Sequence, residues 1–230
     1  MEKVFVFLRR PLGVGLEDFR RIYLEDHANQ VLEQPGVQGY VANLTEEIPQ
    51  ALTQAGFGNP GTGVDAVDEL WCAPEQIPLD VYAGNGVLVG AYRVNERVMR
   101  GYQTTWPVGQ RSPWLKRIAL LRRADRMSHE EFGDYWSDQH APLALVTHRM
   151  IQYVQNLITS SLTIESSQWD GIVQTYFWSV DDFVKGFFPH PEDREVIMTD
   201  VRKFVSDWEQ QTTAWHLGEY IMRPLGALRA

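Results

Sequence analysis

The sequence predicts an α+β protein made of two βαββαβ repeats, their sheets packed against each other as a barrel with the helices outside. Three observations carry this expectation. Shifted by 113 positions, residues 4–44 lie on residues 117–157 without a gap, and twelve of the forty-one positions are identical. Chance alone would give about two or three matches at typical residue frequencies. An overlap this long is a whole domain rather than a solenoid unit, which places a first repeat at 1–113 and a second at 114–230. Both copies also pass through the same alternation of short apolar runs and helical periodicity. Finally, a unit of this kind lays its helices on one sheet face and leaves the other apolar, and the second copy is the nearest cover for it.

The elements follow in order. Residues 4–8 and 118–121 are short continuous apolar runs and read as buried strands, each leading into two arginines, Arg9-Arg10 and Arg122-Arg123. A helix comes next. In the second copy Ser128 with Glu131 three residues on has the form of a capping box. Phe132, Trp136 and His140 then recur at i, i+4 and i+8 on one face, as do Phe19, Tyr23 and His27. Pro142 is expected to stop the helix soon after His140, since proline disfavours helical geometry in the residue before it.

Residues 37–44 and 150–158 read as second strands, and odd spacing sends Tyr40 and Asn43, like Tyr153 and Asn156, to opposite faces. A Gly/Pro-rich stretch at 54–63 and a Ser-rich one at 159–168 connect onward. Third strands follow at 65–71 and 170–176, each from an aspartate. A second helix is expected in each copy, ending near Tyr102 and near Gln211, with last strands at 106–110 and 216–222. The order β-α-β-β-α-β, met twice, is the ferredoxin-like unit.

Composition narrows the function classes. A net charge of −9, from 21 basic against 30 acidic residues, argues against sequence-independent nucleic-acid binding. Cys72 stands alone, so no disulfide can form within the chain, and a reducing cytoplasm is the expected compartment. No signal peptide and no apolar run of membrane-spanning length is read, so no membrane partner is expected. The letters Gly56-Phe57-Gly58-Asn59-Pro60-Gly61 satisfy G-x-G-x-x-G, but a strand follows them instead of preceding them, so a dinucleotide site is rejected. The histidines show no metal-ligand spacing, and no metal is expected.

The phrase Leu121-Arg122-Arg123, Met127-Ser128-His129-Glu130-Glu131-Phe132, Tyr135-Trp136, His140-Ala141-Pro142-Leu143 resembles the core motif of the EthD family. The first copy resembles it less, with Tyr23 in place of the tryptophan and Asn29 in place of the proline. The resemblance implies the dimeric α/β barrel of ferredoxin-like units, here closed within one chain. It also implies chemistry on small molecules: relatives include cofactor-free monooxygenases, cyclases, isomerases and lyases, alongside haem-dependent members.

His27 and His140 are the candidate general acid–base groups, since an imidazole titrates near neutral pH and a helix C-terminus favours its cation. The plainer reading is that each caps its last turn. Tyr23, Trp136 and Tyr153 are candidate substrate contacts beside them. Trp71 and Tyr176 match each other on the third strands, with Glu69 two residues before Trp71 on the same face. Inside an apolar cavity Glu69 would have a raised pKa and could serve as a base; on a solvated face it would be ordinary. Arg122 could hold a carboxylate or phenolate, against the alternative of an ion pair with an acidic neighbour.

Together these expectations describe a cofactor-independent enzyme using a pocket histidine on a small apolar or aromatic carbonyl-bearing metabolite. The alternative is a non-catalytic binding or accessory protein of a degradation cluster. A small molecule is the expected partner. Because the barrel closes within one chain a monomer is allowed, and a homodimer would have to use outer helices or strand edges. Of the two copies, the second keeps the fuller motif and is expected to hold the working pocket.

Overall fold

A computed structural model describes residues 1–54, 63–83, 86–163, 169–206 and 213–225. The Gly-rich letters at 56–61 and the helix end expected near Gln211 lie outside the described residues.

In the first half β1 (Glu2–Arg9) leads into α1 (Leu16–Ile22), a π-helical turn at Tyr23–His27 and α2 (Ala28–Leu32). Then come β2 (Val37–Thr45), α3 (Gln50–Gln54), β3 (Ala66–Cys72) and β4 (Val87–Arg100). The second half opens in the same way: β5 (Leu115–Leu121), α4 (His129–Asp134), a π-helical turn at Tyr135–His140, α5 (Ala141–Thr147), β6 (Gln152–Ser161) and β7 (Gly171–Phe177). It ends with α6 (Val180–Gly186), α7 (Pro191–Phe204) and β8 (Thr213–Arg223).

The eight strands form one closed barrel in the order β1-β3-β2-β8-β5-β7-β6-β4. Read by halves, this is β4-β1-β3-β2 followed by β8-β5-β7-β6, the same ferredoxin-like order twice. The inner faces meet across the barrel, and the edges are joined antiparallel by β2 with β8 and β4 with β6. Closure removes every free strand edge, which an open sheet would leave available for association.

Alternation along each strand sorts the side chains into three layers. Phe5, Phe7, Val67, Ile118, Ile172 and Trp215 fill the barrel. Val4, Val6, Leu8, Ala66 and Leu70 pack under the first-half helices with Phe19 and Tyr23. Leu115, Ala119, Leu121, Val173 and Phe177 pack under the second-half helices with Phe132, Trp136, Phe183 and Phe204. Leu52 of α3 joins this last cluster, so the first half helps to roof the second.

The capping box forms as expected: the Glu131 amide donates to Ser128 Oγ at 3.1 Å, and the Ser128 amide to Glu131 Oε2 at 2.7 Å. Three expectations are corrected. The helix expected to end near Tyr102 is instead the strand β4, in which Tyr92, Val94 and Glu96 alternate with Arg93, Asn95 and Arg97. A period of two in a Val-rich segment with β1 and β6 on either side overrides the helical look of its charges. Among the described residues two short 3₁₀ turns, Pro74–Gln76 and Leu79–Ala83, stand between β3 and β4. The strand expected at 106–110 is a turn with Gly109 at φ 79°.

Pro142 does not stop the helix after His140. It sits in the first turn of α5, where its missing N–H costs little, directly after the π turn. His27 and His140 therefore lie within continuous helical segments, away from the C-terminal ends that the sequence placed them near.

The second-half helix lies close on its sheet at Gly171. A Cβ there would come within 2.7 Å of the Trp136 ring and 3.4 Å of Phe132. Gly171→Ala is expected to cost about 1–3 kcal/mol by overpacking, read as a lower urea midpoint with an unchanged slope.

Candidate functional site

The barrel wall divides the candidate residues into two compartments. His27, Tyr23, His140, Trp136 and Tyr153 lie in the helix–sheet layers, whereas Glu69, Trp71 and Tyr176 face the interior. Arg122 belongs to neither: its side chain is 43% exposed and pairs with Asp125 at 3.8 Å.

In the first half, Asp68 on the outer face of β3 gathers the polar groups beneath the helix. His27 Nε2 lies 2.8 Å from Asp68 Oδ2, Tyr40 donates its hydroxyl to Oδ1 at 3.0 Å, and Tyr23 donates to the same oxygen. The rings of Tyr23 and Tyr82 pack on His27 at 5.2 and 5.0 Å. Burial, then the Asp68 charge, pushes the hydroxyls of Tyr23, Tyr40 and Tyr82 well above their ordinary pKa. His27 is fully buried, with Nδ1 unpartnered among the described residues.

In the second half the corresponding strand position carries Val173, and the histidine takes its carboxylate from α7 instead. His140 Nδ1 lies 2.9 Å from Asp200 Oδ2, and Tyr135 donates to Oδ1 at 2.6 Å. Phe204 packs on the ring at 4.9 Å, and His140 keeps 8% of its surface exposed. The hydrogen bond from His140 holds the Asp200 carboxyl at about 2, with Tyr135 assisting and burial opposing. A carboxyl lowered in the folded state contributes stability that is full above its ordinary value near 3.8 and is lost as the pH falls through about 2. The urea midpoint of the parent should therefore fall more steeply between about pH 4 and 2 than that of Asp200→Asn.

The helix–sheet space beside these groups is filled by Phe132, Trp136 and Tyr153, all buried. Trp136 rests on Gly171, and Gln155 Nε2 ties the Trp136 carbonyl to the Tyr153 hydroxyl at 2.8 and 2.9 Å. Among the described residues no three His, Cys, Asp or Glu side chains converge as metal ligands.

Inside the barrel lies a buried ionic network. Lys116 Nζ donates to Glu69 and, at 2.7 Å, to Glu219 Oε2. Lys3 Nζ pairs with Glu69 Oε2 at 2.8 Å and Glu96 Oε1 at 2.7 Å, and Gln174 Nε2 donates to Glu69 Oε1 at 3.0 Å. Lys3 also stands over the Trp71 ring at 4.7 Å, and Lys116 lies 5.3 Å from that of Tyr176. Burial by itself would raise the pKa of Glu69, but Lys116 and Lys3 outweigh it and hold the carboxyl well below the usual range. The raised value expected from an apolar cavity is thus corrected, because two lysines share that cavity. Glu69 is a fixed anion and a poor base.

Several groups escaped the sequence reading. Lys3 and Lys116 are themselves 113 positions apart, just outside the matched segment, and extending it by one residue would have found them. Asp68 and Asp200 have no acidic counterpart in the other half. Arg117, whose partner position is Val4, was visible only as a mismatch.

Residues 124–207 match the EthD domain, a stretch that begins just after β5, runs through α7 and includes both His140 and Asp200. No curated protein matches the chain. Among solved structures, an anthrone oxidase-like protein is similar with a TM-score of 0.54 at 9% identity, covering 100% of this chain and 96% of that one. A chlorite dismutase from Candidatus Nitrospira defluvii is similar with a TM-score of 0.50 at 10% identity, covering 97% and 91%. At such identities the likeness is one of fold, the dimeric α/β barrel.

Proposed function

We propose that the chain is a cofactor-independent enzyme that moves protons on a small apolar or aromatic carbonyl-bearing metabolite, with its working site beneath the second-half helices. The observation that carries this reading is the Asp200–His140 pair. Asp200 accepts the Nδ1–H, which fixes the tautomer and leaves Nε2 as the basic atom. The imidazole would take a proton from carbon next to the carbonyl and return it to another atom of the substrate, while the ionised Asp200 stabilises the imidazolium between the two steps. The small exposure of His140 against none for His27 supports placing the chemistry in the second half. So does the EthD match, which covers the helix of His140.

In this reading residues 1–113 are a repeat that has become scaffold, closing the barrel and burying its own dyad, and residues 114–230 are the repeat that works. The test is turnover of small aromatic ketones and lactones by His140→Ala and His27→Ala beside the parent. Turnover by the parent that neither substitution lowers would overturn the reading.

A further inference from the structure

Four side chains stand in one row across the helix-facing side of the second-half sheet. The register sets His216 of β8 beside Arg117 of β5, Arg117 beside Thr175 of β7, and Thr175 beside Tyr153 of β6. Directly opposed residues of antiparallel strands share a face with their Cβ atoms about 4.5–5.5 Å apart, so these groups adjoin one another. The same row in the first half reads Arg93, Val4, Leu70 and Tyr40, with Val4 and Leu70 fully buried in the apolar layer and Arg93 paired with Glu2 at 2.6 Å. At the two central positions the second half has thus placed a cation and a hydroxyl, Arg117 and Thr175, where the first half keeps Val4 and Leu70.

Among the described residues Arg117 has no hydrogen bond or ion pair. It is surrounded by protein atoms yet keeps part of its surface accessible. Burial lowers its pKa to about 10, with no carboxylate to counter it. Among the described residues His216 Nδ1 and Thr175 Oγ1 are likewise buried without hydrogen-bond partners, on residues only 2% and 5% exposed. Burial first, and the Arg117 charge second, brings His216 down to about 3. The same positive charge reaches His148, at the end of α5, whose ring is bonded to the Phe187 carbonyl.

The walls are aromatic. Phe183 meets the His216 ring edge to face at 5.9 Å, Phe177 meets Phe183 in the same way at 4.9 Å, and Phe187 stacks on Phe183 at 4.9 Å. An unpaired cation and unpaired polar atoms in an apolar layer are costly, and the cost is relieved when an anion arrives.

We propose that this row binds the carboxylate of a small aryl carboxylic acid. Arg117 takes both carboxylate oxygens in its fork, Thr175 Oγ1–H and His216 Nδ1–H donate to their remaining lone pairs, and the aryl ring lies against Phe177, Phe183 and Phe187. One guanidinium balances one negative charge, which favours a carboxylate over a phosphate dianion. The proposal deepens the function above by naming its substrate class, and it rests on that reading for the chemistry but not for the binding.

The test is calorimetry on the full chain near neutral pH with benzoate, against benzamide and inorganic phosphate as controls. Benzoate should bind, benzamide about tenfold or more weaker, and phosphate weaker still. Arg117→Met, close in length and apolar, should lower benzoate affinity about tenfold or more, the scale of a hydrogen bond to a charged group. Thr175→Val, nearly the same shape, should lower it severalfold and serves as the second variant should Arg117→Met not give a folded chain. No binding of benzoate at millimolar concentration, equal binding of benzamide, or unchanged affinity in the folded variants overturns the proposal. His140→Ala should keep benzoate affinity within a few-fold of the parent, so failure of the acid–base reading and failure of this site give different results.

Discussion

Replacing His140 by alanine is expected to lower turnover by about 10²–10⁴-fold, the range for loss of a general acid or base. The Asp200 carboxylate holds the Nδ1–H of this ring, so the substitution removes the basic Nε2 and leaves Asp200 with Tyr135 and Lys203 as partners. Asp200→Asn should reproduce part of the loss, since an amide can stabilise either tautomer and cannot balance an imidazolium. His27→Ala should leave turnover within a few-fold of the parent, although it removes one of the three groups on buried Asp68 and should lower stability. A large loss with His27→Ala and none with His140→Ala would place the chemistry in the first half. Two equal, small effects would favour a binding protein over an enzyme.

The second large effect is one of stability. Lys116→Met is expected to cost about 3–5 kcal/mol, because breaking a buried ion pair from one side leaves its partners charged in a dry interior. Lys116 is fully buried between Glu69 and Glu219, and among the described residues of this network Lys3 alone would then face Glu69, Glu219 and Glu96. Urea unfolding at neutral pH reads the loss directly. A triple variant adding Glu69→Gln and Glu219→Gln should recover much of it, since it removes the uncompensated charges together with the lysine. Recovery would show that the network serves pairing rather than net stabilisation. A Lys116→Met chain as stable as the parent would mean that water or ions reach the interior freely.

The interior network and the row at Arg117 share an origin. Each strand carries two chemistries on alternate residues, so neighbours one apart enter different compartments. On β5, Lys116 points into the barrel beside Glu69 while Arg117 points beneath the helices beside His216. A linear reading that treats polar residues at a strand start as surface misses both, since nothing local shows that both faces of the strand are covered.

By itself the sequence determined the α+β class with two sheets closing on each other, the capping box at Ser128, the His27/His140 correspondence and the opposite facing of Tyr40 and Asn43. Each of these depends on spacing along the chain, which periodicity and a self-match at 113 residues make legible. The tertiary structure alone decided that residues 87–100 form a strand, because β4 is held by β1 and β6, which lie far from it in sequence. It alone decided that the helix runs through Pro142 and that Glu69 is an ion-paired anion instead of a base. It likewise brought Asp200 to His140 from 60 residues away and left Arg117 without a hydrogen-bond or ion-pair partner among the described residues. The state of a titratable group depends on which charges and dipoles share its compartment, and barrel closure assigns those neighbours by fold rather than by spacing.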